Sequence, residues 1–360
     1  MNDATTSQIS DAQMLRGFWY SPLRSGQLRG SALAKAMLLG VPLVLGRDTK
    51  GRAFAMRDTC PHRGMPLSAG RMIGDQLECP YHGWKFEGTT GQCREIPSLT
   101  GHENLNVEKI FAGHFACDEA DGYVWVFMPE PGTKGDPTEK APRLPTFSGR
   151  YTIAHLFADL PVSIDHGIIG LMDPAHGPFV HQAWWWRSRH SIHEKEKTFE
   201  PIPNGFRIRA HSPSANSAAY KLLGVYGRPI TTKIEFVLPN LRLEEIRCGD
   251  KWFSSRAMVV PVTATECRLE FAAAWNVFRF VPFLTPILKM FGRRFIAQDT
   301  RTMTLQAQGL KYNPPLMLID DADRPAKWYF QLKQAWLDAR RTGQPMVHPI
   351  PGEVKLRWRS

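Results

Sequence analysis

Short apolar or alternating runs, bounded by turn residues, characterise the first third of the chain. Residues 17–20, 42–46 and 122–128 are runs of this kind. Their length, and the glycines and prolines between them, are typical of strands in a small all-β domain. We therefore predict a β-rich domain over residues 1–130.

The pattern changes after residue 130. Residues 131–146 are rich in proline, glycine and charge, which predicts a linker with little buried surface. Beyond it, alternating runs at 206–210, 232–238 and 241–246 predict half-buried antiparallel strands. The last predicted helix carries Trp328, Leu332 and Trp336 at three-to-four spacing, between Pro325 and Gly343. The predicted fold class is α+β, with an antiparallel, helix-grip-like sheet and helices over 147–343 and a C-terminal tail over 344–360.

Two short strings in the first domain offer two thiolates and two imidazoles. The first contains Cys60 and His62, and the second contains Cys79 and His82. A cysteine pair and a histidine pair can hold the two irons of one iron-sulfur cluster. The alternative is a zinc site, but such sites usually pair two nearby cysteines and then two nearby histidines. Tyr81 could donate a hydrogen bond to the cluster or simply pack beside it.

The spacing Cys-x-His, sixteen residues, Cys-x-x-His resembles the Rieske [2Fe-2S] signature. The flanking residues Cys60-Pro61-His62-Arg63-Gly64 and Pro80-Tyr81-His82-Gly83-Trp84 resemble the version found in ring-hydroxylating oxygenases. The resemblance implies an N-terminal Rieske domain with Cys60, His62, Cys79 and His82 as cluster ligands.

A second group of chemically active residues lies between Asp173 and His181. Asp173, followed by Pro174, is expected to cap a helix whose first turn contains His176. His181 can return to the same side after Gly177-Pro178. Two neutral imidazoles and one carboxylate form the facial triad of non-haem ferrous enzymes that activate oxygen.

The motif Asp173-x2-His176-x4-His181 is similar to the mononuclear iron motif of Rieske non-haem iron oxygenases. The resemblance implies that His176 and His181 bind iron, and that Asp173 bridges to a cluster histidine of a neighbouring subunit in a homotrimer. The family often has Asn three residues before the bridging acid, where this chain has Gly170.

The third iron ligand implied by family order is Asp299. It lies on a predicted helical stripe of otherwise apolar residues. A carboxylate on a buried face is costly unless it is paired or bound to metal, although a salt bridge to an arginine would also satisfy it. Asp165 and His166 form the nearest rival pair, which we interpret as supporting or structural. The stripe consists of Phe291, Phe295, Asp299, Met303 and Ala307.

Composition and charge indicate where the protein is expected to work and which kind of partner it is expected to bind. The six cysteines are too few for a disulfide framework, and residues 1–14 lack a signal-peptide pattern, so we expect a cytoplasmic protein. The net charge of +11 is spread along the chain without a nucleic-acid motif, and it favours an acidic electron donor such as a ferredoxin. The apolar stretch 271–291 is too broken to span a bilayer. For residues 281–295 we favour a core loop and helix over contact with a membrane surface.

The resemblance implies the oxygenase component of a system fed by a separate NAD(P)H-dependent reductase or ferredoxin. Such a component holds a [2Fe-2S] cluster and a mononuclear Fe(II), and it uses O2. We expect a monooxygenase or demethylase, with a cis-diol-forming dioxygenase as the alternative enzyme and a pure electron carrier as the alternative class. Trp184-Trp185-Trp186, Phe278 and Phe280 suggest a hydrophobic substrate, aromatic or terpenoid, although the tryptophans could equally belong to the core.

Overall fold

The computed structural model of the protein describes residues 14–133, 137, 139–143, 150–182, 189–212, 223–277 and 284–360. The chain divides into two compact units, one ending at Thr146 and the other beginning at Phe147. The linker predicted at 131–146 belongs to the first unit. Part of it falls outside the described residues.

The first unit consists of three small antiparallel sheets, linked by short 3-10 turns at Ser25–Gln27, Leu67–Ala69 and Val107–Lys109. The strands are β1 (Phe18–Arg24), β2 (Ala34–Leu38), β3 (Val41–Arg47), β4 (Ala53–Arg57), β5 (Arg71–Ile73), β6 (Gln76–Glu78), β7 (Lys85–Glu87), β8 (Cys93–Glu95), β9 (His114–Phe115), β10 (Cys117–Ala120) and β11 (Tyr123–Met128). The sheets have the orders β1-β11-β10, β2-β3-β4-β9 and β5-β6-β7-β8.

The core of this unit lies directly against the two cysteine loops. Buried apolar side chains of β3, β4, β6 and β7 form one cluster that also contains the two cysteine thiols. Because the loops are anchored on this packed cluster, their cysteines occupy fixed positions. The strand residues of the cluster are Val44, Phe54, Met56, Leu77, Phe86 and, in β8, Cys93.

The second unit is built on one antiparallel sheet of eight strands. Its elements are β12 (Thr152–Leu160), α1 (Ile164–Met172), α2 (Gly177–Val180), a 3-10 turn (Arg189–Ser191), β13 (Glu194–Ile202), β14 (Gly205–His211), β15 (Ile230–Val237), β16 (Leu241–Cys248), β17 (Lys251–Pro261), β18 (Cys267–Trp275), α3 (Leu284–Leu310), α4 (Arg324–Thr342) and β19 (Val354–Arg359). The strand order is β12-β18-β17-β16-β15-β14-β13-β19.

In the described part of this unit, α1, α3 and α4 cover one face of the sheet. A Cβ atom on Gly292 of α3 would lie 2.5 Å from Cδ1 of Leu156, and one on Gly167 of α1 would lie 2.8 Å from Cγ1 of Val259. Both helices therefore approach the sheet more closely than a larger residue would allow. Helix α4 packs through Tyr329, whose ring centroid is 5.7 Å from that of Phe236.

The C-terminal residues take part in the same sheet. Residues 344–360, which we expected to form a tail, include β19, and this strand pairs with β13 from Val354 to Arg359. The segment is held because Leu356 and Trp358 are buried while their neighbours face outward.

The α+β fold class predicted from the sequence is confirmed, with an all-β unit followed by a sheet covered by helices. All six cysteines are free thiols. Among the helices that the structure describes, none combines the length and the apolar character that crossing a bilayer would need.

Candidate metal centres

The two cysteine loops of the first unit share one backbone design. The first follows β4, and the second joins β6 to β7. In each loop the cysteine amide donates to the carbonyl five residues later, from Cys60 to Met65 at 2.8 Å and from Cys79 to Trp84 at 2.8 Å. Equivalent backbone geometry therefore presents the two thiols in the same way.

A glycine closes each loop. The amide of Gly64 donates to the Cys60 carbonyl at 2.9 Å, and that of Gly83 donates to the Cys79 carbonyl at 3.1 Å. Their φ angles of +72° and +70° lie in the left-handed region, where a residue with a Cβ is strained. The sequence carries glycine at the one position in each loop that requires it.

The two cysteines of these loops are more deeply buried than the two histidines. Cys60 and Cys79 are each 2% exposed, whereas His62 is exposed and His82 is half-buried. The two imidazole rings lie together, with centroids 4.6 Å apart. Burial raises the pKa of the Cys60 thiol to about 11, so a bound cation is needed to hold it as a thiolate at neutral pH. Two buried thiols and two outer imidazoles fit the donor set of a Rieske cluster.

Aromatic rings flank both histidines. Trp84 stacks on His62 with centroids 4.7 Å apart and an interplanar angle of 6°. Tyr81 lies against His82 at 3.9 Å and is 51% exposed, so it is not a core residue. A hydroxyl contact from Tyr81 to the cluster stays a prediction.

In the second unit, three predicted ligands converge on one point. His176 immediately precedes α2, His181 immediately follows it, and Asp299 lies on α3. Nε2 of His181 is 3.2 Å from Nε2 of His176 and 3.1 Å from Oδ1 of Asp299. One donor atom of each residue lies within 4.8 Å of the other two. Two imidazoles and one carboxylate at this separation fit a mononuclear iron site with open positions.

The local backbone differs from the prediction at Asp173. We expected Asp173 to cap a helix containing His176, but α1 ends at Met172 and α2 begins at Gly177. Asp173 instead accepts a 2.6 Å hydrogen bond from the Ala175 amide in the turn between the helices. The helix prediction was wrong because a short aspartate turn satisfies the same side-chain acceptor.

Charge around His176 favours its protonated form. Burial lowers the pKa of His176, but the Asp173 carboxylate, 3.6 Å from Nδ1, and the Asp299 carboxylate outweigh burial and leave this pKa raised. The two carboxylates thus compensate positive charge at this point, whether it is a proton or a metal ion.

Helix α3 is more exposed than the stripe predicted. Phe291 and Phe295 are each 40% exposed, the Asp299 side chain is 28% exposed, and Ile296 is the buried apolar residue nearby. The apolar spacing identified one face of the helix but not how deeply that face is buried.

At Gly170 the structure leaves little room for a side chain. A Cβ atom on Gly170 would lie 2.6 Å from Cε of Met303, so the Met303 methyl group fills the space next to this position.

The rival pair has a structural role. The Asp165 carboxylate accepts hydrogen bonds from Tyr329 Oη and from Nζ of Lys333, the latter at 2.6 and 2.8 Å. His166 Nδ1 lies 3.0 Å from the Ser163 hydroxyl. The Asp165 contacts link α1 to α4, whereas the His166 contact lies at the N-terminus of α1, which Ser163 caps.

Some predicted pocket residues fall outside the described part of the chain. They are Trp184-Trp185-Trp186, Phe278, Phe280 and the first residues of the segment 281–295.

Comparison with known proteins finds relatives of the first unit and of a larger part of the chain. Residues 18–109 match the family described as "Rieske [2Fe-2S] domain". Chlorophyllide a oxygenase of Chlamydomonas reinhardtii is 32% identical over 265 residues, which cover 73% of this chain. The chain therefore contains a Rieske [2Fe-2S] domain and resembles the Rieske oxygenases.

Two further matches extend the comparison. The crystal structure of dicamba monooxygenase bound to dicamba superposes with a TM-score of 0.72 at 20% identity, covering 91% of this chain and 99% of that one. The 4beta-methylsterol monooxygenase of Methylococcus capsulatus is 33% identical over 138 residues, covering 38% of this chain. The matched segments span 36% of the chlorophyllide a oxygenase and 37% of the sterol enzyme, little more than a third of each relative.

These findings confirm the predicted resemblance to the oxygenase (alpha) subunits of the family, and they indicate a [2Fe-2S] cluster of Rieske type. Members of this family are oxidoreductases. Sequence reasoning missed Phe295 as a ring partner of His181 and overlooked Gln298 altogether. Both lie within one turn of Asp299, and the only available signal was that proximity along the helix.

Proposed function

We propose that this protein is the oxygenase component of a Rieske non-haem iron system, which hydroxylates or demethylates a hydrophobic small molecule with O2 and electrons from an NAD(P)H reductase or ferredoxin. The observation that carries the proposal is the convergence of His176, His181 and Asp299 in a chain that also contains a Rieske domain. When bound, the iron would supply the oxygen activation that protein side chains lack.

In this proposal Cys60, Cys79, His62 and His82 hold the cluster, and the exposed His62 faces incoming electrons. Asp173 would bridge to a cluster histidine of a neighbouring copy. Its side chain is 34% exposed and one carboxylate oxygen lies on the His176 side, which leaves the group accessible to a second partner. A homotrimer would supply that neighbour, and the +11 charge would favour an acidic electron donor.

The sheet face under the helices is apolar beside α3. An apolar cluster there combines Ala154, Ile246, Trp275 and the partly buried Leu288 of α3. Thr232 lies on the same face, is 1% exposed, and its hydroxyl has no hydrogen-bond partner within the described chain. The apolar side chains are buried against one another and form core, so support for the proposed substrate class comes from the relatives.

The names of the relatives favour the same class. They act, by name, on chlorophyllide, on a methylsterol and on dicamba. The first two names denote large, mainly hydrophobic molecules, so we propose oxidation or demethylation of a terpenoid or polycyclic compound. A dioxygenase that forms a cis-diol is the second candidate.

Metal analysis tests the proposal first. We expect about two cluster irons and one further chelatable ferrous ion per chain. His176→Ala should lose the chelatable iron and keep the visible spectrum of the cluster, whereas His102→Ala, the same change at an exposed position, should keep both. Cluster iron alone in the wild-type protein would favour the electron carrier.

Turnover distinguishes the two candidate enzymes. The purified protein, a surrogate reductase and NADH are incubated under labelled O2 with methylsterols, porphyrin derivatives and methoxylated aromatics. Incorporation of a single labelled atom, or release of a methyl group as formaldehyde, supports the monooxygenase, and incorporation of two atoms into a diol supports the dioxygenase. Reductase-dependent O2 uptake with neither a labelled product nor formaldehyde from any hydrophobic compound would contradict the proposed substrate class.

A further inference from the structure

One turn of α3 surrounds the His181 ring on three sides. Phe295 stacks on one face, with centroids 3.7 Å apart and an interplanar angle of 13°. Asp299 Oδ1 lies 3.1 Å from Nε2, and Gln298 Oε1 lies 3.1 Å from Nδ1. The His181 side chain is 4% exposed, so these contacts lie in a region largely shielded from water.

The two nitrogens of His181 face different partners. Nε2 points toward His176 and Asp299, the direction in which a metal would be shared. A neutral imidazole carries one N–H, and the nitrogen that binds a metal must be the bare one. The proton therefore belongs on Nδ1, where it can be donated to Gln298 Oε1 at a normal hydrogen-bond length.

His176 lacks an equivalent support. Its Nδ1 lies 3.6 Å from the Asp173 carboxylate, beyond hydrogen-bond length, and this atom has no hydrogen-bond partner among the described residues. Its side chain is also more exposed, at 28%. Of the two histidines, His181 thus has the shorter Nδ1 contact and the more buried side chain.

We propose that Gln298 is a positioning residue for the metal site. By accepting the Nδ1 proton of His181, it selects the tautomer with a bare Nε2 and holds the ring toward the other two ligands. This inference rests on the proposed iron site and assigns Gln298 no direct contact with the metal. Loss of such a supporting hydrogen bond typically weakens metal binding by about 10- to 100-fold.

Cobalt(II) binding tests the inference without turnover. The chelatable metal is removed from the full-length protein with its cluster retained. Co(II) affinity is then measured by competition with a fluorescent chelator, and Co(II) EPR is recorded with the cluster oxidised. We expect Gln298→Leu to bind Co(II) about 10- to 100-fold more weakly, with a broadened EPR signal. Gln298→Glu keeps an acceptor and should bind at least as tightly as the wild type.

Gln308→Leu makes the same substitution at an exposed position of α3 and should leave affinity unchanged. Equal affinity of Gln298→Leu and wild type would overturn the inference. If Gln298→Leu does not fold, a loss of more than tenfold in Gln298→Glu would overturn it instead. Absence of a saturable Co(II) site in both the wild type and Gln308→Leu would reject the proposed iron site, which is a separate result.

Discussion

Replacing Lys333 by methionine should destabilise the second unit strongly. Lys333 and Asp165 form a buried ion pair between α4 and α1, with side chains 10% and 3% exposed. Tyr329 also donates to the same carboxylate. Methionine retains much of the length of the lysine stem but removes the ammonium, so the Asp165 carboxylate would stay buried with the tyrosine as its remaining donor from α4.

The expected cost follows from the two charged hydrogen bonds that are lost, at 2.6 and 2.8 Å. Removing one partner of a buried pair costs about 3–5 kcal/mol, because the other charge remains in a low-dielectric interior. The exposed pair Lys327–Asp320 is a matched comparison, with side chains 32% and 76% exposed. Lys327→Met should cost less than about 1 kcal/mol.

Differential scanning calorimetry measures this difference, with the visible absorbance of the cluster reporting separately on the first unit. For a unit of this size, the expected cost corresponds to a fall of roughly 6–20 °C in the transition midpoint. The double variant Asp165→Asn/Lys333→Met removes both charges and should regain at least half of the loss. A Lys333→Met midpoint no lower than that of Lys327→Met would refute the reasoning.

Three further outcomes are expected. Gly167→Ala should lower the free energy of unfolding by about 1–3 kcal/mol in calorimetry, because its Cβ would lie 2.8 Å from Cys267 Sγ. Gly309→Ala, where a Cβ would meet nothing within 4 Å, should be neutral or stabilising. Equal effects of the two substitutions would contradict this reasoning. Burial, aided by the Asp165 charge, raises the pKa of the Cys267 thiol to about 12, so its contribution to stability is intact below about pH 8.5 and declines as pH rises toward 12. Alkylation of this thiol by iodoacetamide at pH 8 should accordingly be slow until urea unfolds the protein, and rapid labelling of the native protein would show that the thiol is accessible. Gly83→Ala should reduce the iron and sulfide content of the purified protein, because the φ of +70° at this position strains a residue with a Cβ. Gly26→Ala, outside the left-handed region, should leave the content unchanged. Unchanged content in both variants would show that backbone strain is not the reason for glycine at position 83.

Local chemistry made part of this protein predictable from its sequence. The proposed cluster ligands follow from the spacing of cysteine, histidine and glycine within two short loops, since in each loop the cysteine amide bonds to the carbonyl five residues later. The strands and the last helix follow from apolar periodicity: α4 spans Arg324–Thr342, and Gly343 follows it with a φ of +70°.

Other features depended on contacts between distant segments. The short turn at Asp173 replaced the predicted helix start because both use the same aspartate acceptor. Asp165, buried with His166, was ambiguous until α4 supplied Lys333 and Tyr329. The exposure of Phe291 and Phe295 could not be read from their spacing, because periodicity identifies a face and not what covers it.

The sequence by itself determined the candidate donor atoms of the two proposed centres, the order of their motifs and the α+β class, since these depend on residue type and near-neighbour spacing. Only the tertiary structure decided that Asp299 reaches His181 across more than a hundred residues, and that Gln298 meets the opposite nitrogen of the same ring. The reason is physical: an imidazole has two distinct nitrogens, and their partners are chosen by how α3 packs beside α2, which no local pattern encodes.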